Sequence, residues 1–146
     1  MNTVSTVIHA HPALAGVRML LEREKLPASD LTEEHLKHFF FVGPITEPTA
    51  LVGLEVCGSV ALLRSLVVSR DARTAGIGTA LVTHAEDHAR LQGVHSLYLL
   101  TTTAEPFFAR RGYYRVDRTI APASIRSTRE FANLCPASSA FMFKRL

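Results

Sequence analysis

Cysteine is scarce in this sequence of 146 residues: Cys57 and Cys135 are far apart and form no C-x-x-C pair. This scarcity favours reduced, buried thiols and a cytoplasmic protein. Long apolar runs are missing as well, so no segment predicts a membrane-spanning helix. The first six residues, 1–6, lack the basic and apolar regions of a signal peptide.

The sequence also lacks a strong net charge. The formal net charge is +3 and the pI about 9.2, and no Lys/Arg cluster is interleaved with aromatic residues, so the sequence does not predict a nucleic-acid-binding protein. The mild positive charge suits an anionic cofactor. Linkers rich in Pro, Gly or Ser are absent, and 47% of the residues are hydrophobic. We therefore expect a single domain over residues 1–146 with one core.

Apolar periodicity and turn residues predict strands and helices in a mixed order. The predicted strands are Val4–His9, Phe39–Val42, Ala50–Cys57, Val60–Val68, His95–Thr101, Tyr113–Val116 and Phe141–Leu146. The predicted helices are Ala13–Lys25, a short helix capped by Asp30 and reaching His38, Gly76–Gln92, Ala104–Arg111 and Ser127–Leu134. Antiparallel hairpins come early and a β-α-β crossover comes late, which indicates an α/β or α+β fold with a mixed central sheet.

The best-defined local prediction is a hairpin turning at Gly58-Ser59. A two-residue turn pairs Cys57 with Val60. Strand alternation then predicts one shared face, with Glu55 diagonal to Arg64. The residues on that face would be Glu55, Leu62, Arg64, Leu66 and Val68.

The most informative stretch is Arg73–Thr79, which follows an apolar strand and opens a helix. The first N–H groups of a helix have no intrahelical acceptors, and the helix dipole favours negative charge there. Glycines at Gly76 and Gly78 let the backbone approach a phosphate, and Arg73 adds a positive charge. This segment predicts an anion site.

Two common phosphate motifs do not fit this stretch. A P-loop needs a Lys-Ser/Thr pair, where this sequence has Thr79-Ala80, and Leu81 stands where the dinucleotide fingerprint needs its third glycine. The remaining R-x-x-G-x-G pattern resembles the pyrophosphate loop of the Gcn5-related N-acetyltransferases (GNAT family), where the loop holds the diphosphate of acetyl-CoA.

Further segments carry the same resemblance in the same order. In that family the strand before the loop splays from its neighbour and pairs with pantetheine, a place that Leu66–Val68 would take. The family's F-Y-x-x-x-G-F stretch resembles Phe107–Tyr113. The resemblance therefore implies a mostly antiparallel sheet flanked by helices, acetyl-CoA as cosubstrate, and no metal. It assigns cofactor binding to Leu66, Val67, Val68, Arg73, Thr74, Ala75, Gly76, Ile77, Gly78, Thr79 and Phe108.

One position departs from the family pattern. Many members have a tyrosine whose hydroxyl protonates the leaving thiolate, and this chain has Phe108 there. The general acid is then another residue or water. A CoA-binding module without catalysis is an alternative that Phe108 favours.

The C-terminal third is similar to one branch, the second type of N-acetyltransferase encoded with arsenic-resistance operons. The similar stretches are 62–68, 99–104 and 128–136. This similarity implies a small amino-acid-like amine as substrate, related to glutamate or to its phosphinate or arsenic analogues. Protein-lysine acetylation ranks lower, since no acidic cluster suited to a basic peptide occurs.

Candidate reactive residues each have a structural alternative. Glu55 would accept the amine proton, or it is only the ion-pair partner of Arg64, which would otherwise clamp a substrate oxyanion. Thr101 and Thr102 would hydrogen-bond the substrate, while Thr103 is favoured as a helix cap.

The spacing of His84 and His88 permits metal binding but favours packing. Cys57 and Cys135 would bind trivalent arsenic only if the branch resemblance holds. The acceptor and the oligomeric state stay open, with a homodimer as one option.

Overall fold

The computed structural model describes residues 7–72 and 76–146. Its strands are β1 (His9–Ala10), β2 (Phe39–Val42), β3 (Ala50–Cys57), β4 (Val60–Val68), β5 (Ser96–Thr101), β6 (Tyr114–Arg115) and β7 (Ala140–Arg145). Its α-helices are α1 (Leu14–Arg23), α2 (Ile77–Leu91), α3 (Glu105–Ala109) and α4 (Ala123–Arg126). Short 3₁₀ turns occur at His35–His38, Arg70–Ala72 and Arg118–Ile120, and a π-turn at Glu130–Leu134. No helix in these ranges combines the length and apolar character needed to cross a bilayer.

The strands form one seven-stranded sheet in the order β1-β2-β3-β4-β5-β7-β6. All neighbours are antiparallel except β4 and β5, which run parallel. Their pairing covers only Val60–Leu62 against Ser96–Tyr98. Beyond these residues the two strands separate and leave a wedge between them, which confirms the predicted mixed sheet with a splayed strand pair.

The hairpin register is confirmed, but the predicted shared face is wrong beyond Arg64. Cys57 pairs with Val60, and Glu55 with Leu62. The register then shifts, because two residues of β4, Ser65 and Leu66, oppose one residue of β3. Ser65 adopts φ +60°, which marks a β-bulge. The extra residue reverses the alternation of faces, so that Leu66 and Val68 pack with Leu63 on the α2 side, opposite to Arg64.

Hydrophobic clusters therefore pack on both faces of the sheet. Helix α2 covers one with Leu81, Val82, Ala85 and Ala89, all buried. On the other face α1 packs Val17, Leu20 and Leu21 against Phe39, Leu51 and Val67. A third cluster, built on Ile125 of α4, continues that second face past β5 and β7 with Leu62, Tyr98, Ala121 and Phe141.

Several predicted elements differ at their ends or in kind. The first strand begins at His9, while residues 4–6 of its predicted range lie outside the described part. Strand β6 is two residues long instead of Tyr113–Val116. The predicted helix over Ser127–Leu134 is a π-turn at Glu130–Leu134, preceded by α4, which starts after Pro122. Thr128 does cap it, since its Oγ1 accepts from Phe131 N at 3.3 Å.

Asp30 does not cap a helix. The short helix near it is the 3₁₀ turn His35–His38, whose first flanking residue is Glu34. The Asp30 carboxylate points to β4 instead and binds Arg64. A tertiary ion pair has taken the side chain that the local sequence pattern assigned to capping.

Candidate active site

A cavity of about 1180 Å³ occupies the wedge between β4 and β5. It runs from the N-terminus of α2, along β4 beside the bulge at Ser65, to Arg64 and the π-turn. Most of the residues predicted for cofactor and substrate binding line it: Arg64, Leu66, Val67, Val68, Gly76, Ile77, Gly78, Thr79, Thr101, Thr102 and Phe108. Arg73, Thr74 and Ala75 lie outside the described residues. Among the described residues, Glu55 is not part of the lining.

The N-terminus of α2 forms one end of the cavity. Gly76 precedes it at φ +68°, and a Cβ on Gly76 would meet no atom of the described residues within 4 Å. At Gly78 a Cβ would approach the Phe107 ring at 3.4 Å and Val68 at 3.8 Å. Within the described part of the chain, the space beside Gly76 is therefore open, and the N–H groups of the first turn favour an anion. This geometry fits the diphosphate of CoA.

Arg111 brings a positive charge to the same end, and sequence reasoning gave it no role. Its Nε donates to Thr79 Oγ1 at 3.1 Å, and its guanidinium lies 3.6 Å from the centre of the Phe107 ring. Its Nη1 also donates to the Phe107 backbone oxygen at 2.6 Å. Only the folding of α3 against α2 reveals this placement, since Arg111 is 32 residues from Thr79.

The β4 edge lines the middle of the cavity. No described strand pairs with the β5-facing edge of β4 over residues 63–67, because β5 has already diverged. Backbone groups on this edge can hydrogen-bond an extended ligand as a further strand would. The bulge at Ser65 changes the direction of these groups along the cavity wall.

In the segment Thr101–Thr103, the hydroxyl that caps the next helix belongs to a different threonine from the one predicted. Thr101, Thr102 and Thr103 all line the cavity. The hydroxyl that accepts from the backbone at the start of α3 is that of Thr101, whose Oγ1 binds Ala104 N at 3.0 Å. The prediction that Thr103 is the favoured cap is therefore wrong. Thr101 still offers its hydroxyl hydrogen to a ligand.

Arg64 is the centre of a largely buried charge cluster. Its Nη1 and Nη2 donate to Asp30 Oδ2 and Oδ1 at 2.5 and 2.9 Å. Nη1 also donates to Glu55 Oε2 at 2.9 Å, and Nε donates to Ser65 Oγ at 3.1 Å. Nη2 lies 3.5 Å from Glu130 Oε1. Protein groups thus engage all three guanidinium nitrogens of a side chain with 0% exposure.

Burial and pairing move the pKa values of these groups in different directions. Burial alone would raise the pKa of Asp30, but the hydrogen bonds and charge of Arg64 outweigh it and hold that pKa below its usual value. Glu130 is 6% exposed and further from the guanidinium. Burial, reinforced by Glu55 and Asp30, raises the pKa of Glu130 to about 7 against the pull of Arg64. Sequence reasoning missed both Asp30 and Glu130 as site residues.

Asp30, His35 and Glu55 also bring three ligand atoms within 4.8 Å of one another. The guanidinium of Arg64 already forms ion pairs with the carboxylates of Asp30 and Glu55, and its positive charge repels a cation. We therefore treat this group as part of the ion-pair cluster.

Phe108 is 4% exposed and packs edge-on against Phe107 and Tyr113. The neighbouring Tyr113 does not replace the missing hydroxyl, because its OH donates to Glu86 Oε2 at 2.9 Å in the core. A different hydroxyl stands out. Ser139 Oγ is buried without a hydrogen-bond partner among the described residues, and Ser139 lines the cavity. An orphaned buried hydroxyl at a cavity wall can serve a bound ligand.

Comparison with known proteins identifies the family. The model of the acetyltransferase (GNAT) family matches residues 13–116. This chain belongs to the GNAT family. An uncharacterized N-acetyltransferase of Chlorobaculum tepidum is 33% identical over 95 residues, which span 63% of this chain and 59% of that protein.

Solved structures share the fold. N-acetylglutamate synthase from Neisseria gonorrhoeae, complexed with coenzyme A and N-acetyl-glutamate, matches 99% of this chain at a TM-score of 0.79 and 21% identity, but this chain spans only 36% of it. A Mycobacterium tuberculosis protein in complex with CoA matches 96% of this chain and 99% of its own length, with a TM-score of 0.75 and 20% identity. The arsenic-related branch is not distinguished by these matches.

Proposed function

We propose that this GNAT protein transfers the acetyl group of acetyl-CoA to the primary amine of a small amino-acid-like acceptor. The observation that carries the proposal is the continuous cavity, which joins an open anion site at α2 to a buried charge cluster at Arg64. A diphosphate fits the first end and a small charged molecule the second.

Acetyl-CoA would supply the acyl group: the amine nitrogen bonds to the thioester carbon, the carbon–sulfur bond breaks, and one amine proton ends on sulfur. The residues of this chain would bind and orient. Gly76–Thr79 with Arg111 would hold the diphosphate, and backbone N–H groups near Leu66–Val68 would polarise the thioester carbonyl. Thr101, Thr102 and Ser139 would hydrogen-bond the acceptor. Arg73–Ala75 stay predictions from the motif.

The proton acceptor has two candidate carboxylates. Glu55, predicted from the sequence, would act through water, because it lies 2.9 Å from Arg64 outside the cavity lining. Glu130 lines the cavity itself. With its donors bound to protein groups, Arg64 would contribute more by positioning these carboxylates than by clamping a substrate oxyanion.

The acceptor class is tested by a screen. Purified protein is incubated with acetyl-CoA and single amino acids, including glutamate and its phosphinate and arsenic analogues, while free CoA is followed. Acetylation of glutamate-like acceptors above other amines supports the proposal and its arsenic-related form. Turnover confined to unrelated amines removes the glutamate assignment but keeps the transferase.

The alternative is a CoA-binding module without catalysis, favoured by the phenylalanine at Phe108. Tight CoA binding in calorimetry, combined with no CoA release for any amine in the screen, would establish this alternative. A cytoplasmic location and a homodimer remain proposals, to be tested by fractionation and by light scattering.

A further inference from the structure

We propose that Glu130 holds the ammonium group of the acceptor and accepts its proton, and that Asp30, Arg64 and Glu55 form the scaffold that positions it. This inference rests on the proposed acetyl transfer and assigns its proton acceptor to a residue with no predicted role.

The first argument is placement. Of the three carboxylates around Arg64, only Glu130 belongs to the cavity lining among the described residues. It stands at the end of the cavity formed by the π-turn and Arg64, its partner in the charge cluster. That end is opposite to the α2 anion site. An acceptor bound next to Glu130 would meet the acyl group there.

The second argument is unused hydrogen-bonding capacity. Asp30 accepts two hydrogen bonds from Arg64, and Glu55 accepts one at 2.9 Å. Glu130 has a longer contact, 3.5 Å to Arg64 Nη2, as its one side-chain partner in the described part of the chain. A buried carboxylate needs several donors to be satisfied. A substrate ammonium would supply them.

The third argument is charge. One guanidinium faces three carboxylates, so the cluster favours an additional positive charge or a proton. The groups that act on Glu130 are Arg64 of β4, Asp30 of the loop after α1 and Glu55 of β3, and Cys135 ends its own turn. His35 lies 3.7 Å from Glu55. The raised pKa of Glu130, about 7, suits a base that works near neutral pH.

The position of Glu130 is also fixed locally. Thr128 Oγ1 accepts from Phe131 N, and the Phe131 ring packs edge-on against Phe141 at 5.3 Å. Arg118 lies 5.5 Å from the centre of the same ring and donates to the backbone oxygens of Pro136 and Ser139. The turn is thereby anchored on both sides of Glu130, as a positioned base requires.

The proton balance is simple. One N–H proton of the acceptor ammonium passes to a Glu130 carboxylate oxygen, and the nitrogen keeps the electron pair with which it attacks. Glu130 then returns the proton to water, and a second amine proton ends on the departing sulfur.

The test compares pH profiles of kcat/KM for the wild type, Glu130→Gln and Glu55→Gln, using the best acceptor from the screen. The wild-type rate should rise through about pH 7, the pKa of Glu130. Glu130→Gln should remove this rising limb of the pH profile. It should also lower kcat/KM by about 100-fold or more, as expected for the loss of a general base. The loss should shrink as the pH approaches the pKa of the acceptor amine, because solvent then delivers free amine.

Glu86→Gln is the matched control, a buried glutamate bound to Tyr113 and Lys144 outside the cavity lining. It should keep the limb whatever its effect on stability. Glu55→Gln should keep a limb as well but at lower pH, because the charge of Glu55 helps to raise the pKa of Glu130. Loss of the limb in Glu55→Gln with its retention in Glu130→Gln would assign the proton to Glu55 and overturn the inference. Wild type without acetyl transfer to any amine would refute the proposed function instead.

A second readout needs no acetyl-CoA. A carboxyl whose folded pKa is raised from 4.5 to about 7 lowers the stability of the fold as pH rises through that window. In thermal unfolding of the ligand-free protein, the melting temperature of Glu130→Gln should therefore increase relative to that of the wild type as the pH rises. If Glu130→Gln fails to fold, Glu130→Asp serves: it should keep the limb with lower kcat, and an unchanged kcat would contradict the positioned base.

Discussion

Arg64 and Asp30 form a two-point ion pair in the interior: Nη1 and Nη2 reach Oδ2 and Oδ1 at 2.5 and 2.9 Å, with side chains 0% and 2% exposed. Asp30 lies in the loop after α1, and Arg64 lies one residue before the bulge of β4. The pair therefore ties that loop to the strand that lines the cavity.

Asp30→Asn should destabilise the fold by about 1–3 kcal/mol, because an amide nitrogen replaces one of the two oxygens that accept from the buried guanidinium and leaves that donor unsatisfied. Urea unfolding at neutral pH measures the change. Asp87→Asn, which removes an exposed partner of Arg90, is the control and should change stability little. Equal effects of the two changes would mean that the buried pair adds nothing.

Gly76→Glu should abolish CoA binding, since a carboxylate would enter the open space before α2 and repel the diphosphate. Calorimetric titration with CoA measures the affinity. Gly58→Glu provides a matched control. Gly58 also has a left-handed φ of +66°, and its Cβ would meet no atom of the described residues within 4 Å, but it lies in the β3–β4 turn. Unchanged affinity in folded Gly76→Glu would refute the anion site.

Phe108→Tyr should lower stability by about 1–3 kcal/mol, because the added hydroxyl enters a packed aromatic cluster. Its turnover in the CoA-release assay separates packing from chemistry. Retained or raised turnover despite the lower melting temperature would show that the hydroxyl reaches the leaving thiolate. A large loss of turnover at unchanged stability would contradict both roles of this position.

His38 and His88 should make the fold less stable in acid. Their ring nitrogens lie 3.0 Å apart, and Phe40 packs against His88. Burial, with nearby positive groups, holds both pKa values below 6.5. A base with a lowered folded pKa contributes stability that is complete above its unfolded pKa and is lost as the pH falls through the folded one.

His88→Asn should therefore flatten the pH dependence of the melting temperature on the acid side of pH 6.5. The other charged groups at the pair are Lys37, His11 and His84, and they are left in place. The exposed His9 supplies the control substitution, His9→Asn. An acid limb that persists unchanged in His88→Asn would exclude the pair as its source.

Local pattern was enough for much of the fold. The Gly58-Ser59 turn fixed the pairing of Cys57 with Val60, because a two-residue loop allows few registers. The bulge at Ser65 was not predictable, since no glycine or charge marks it, and the alternation of faces failed from that residue onward.

What the sequence by itself determined is the order of elements, the GNAT resemblance and the segments that line the cavity, because these depend on neighbours along the chain. What only the tertiary structure decided is which charges meet. Asp30 and Glu130 lie 34 residues before and 66 residues after Arg64. No local pattern links residues at such separations. The folded chain places them around one buried guanidinium. Exclusion of water strengthens the attraction between these charges, and the hydrogen bonds that Arg64 donates offset the cost of desolvating them.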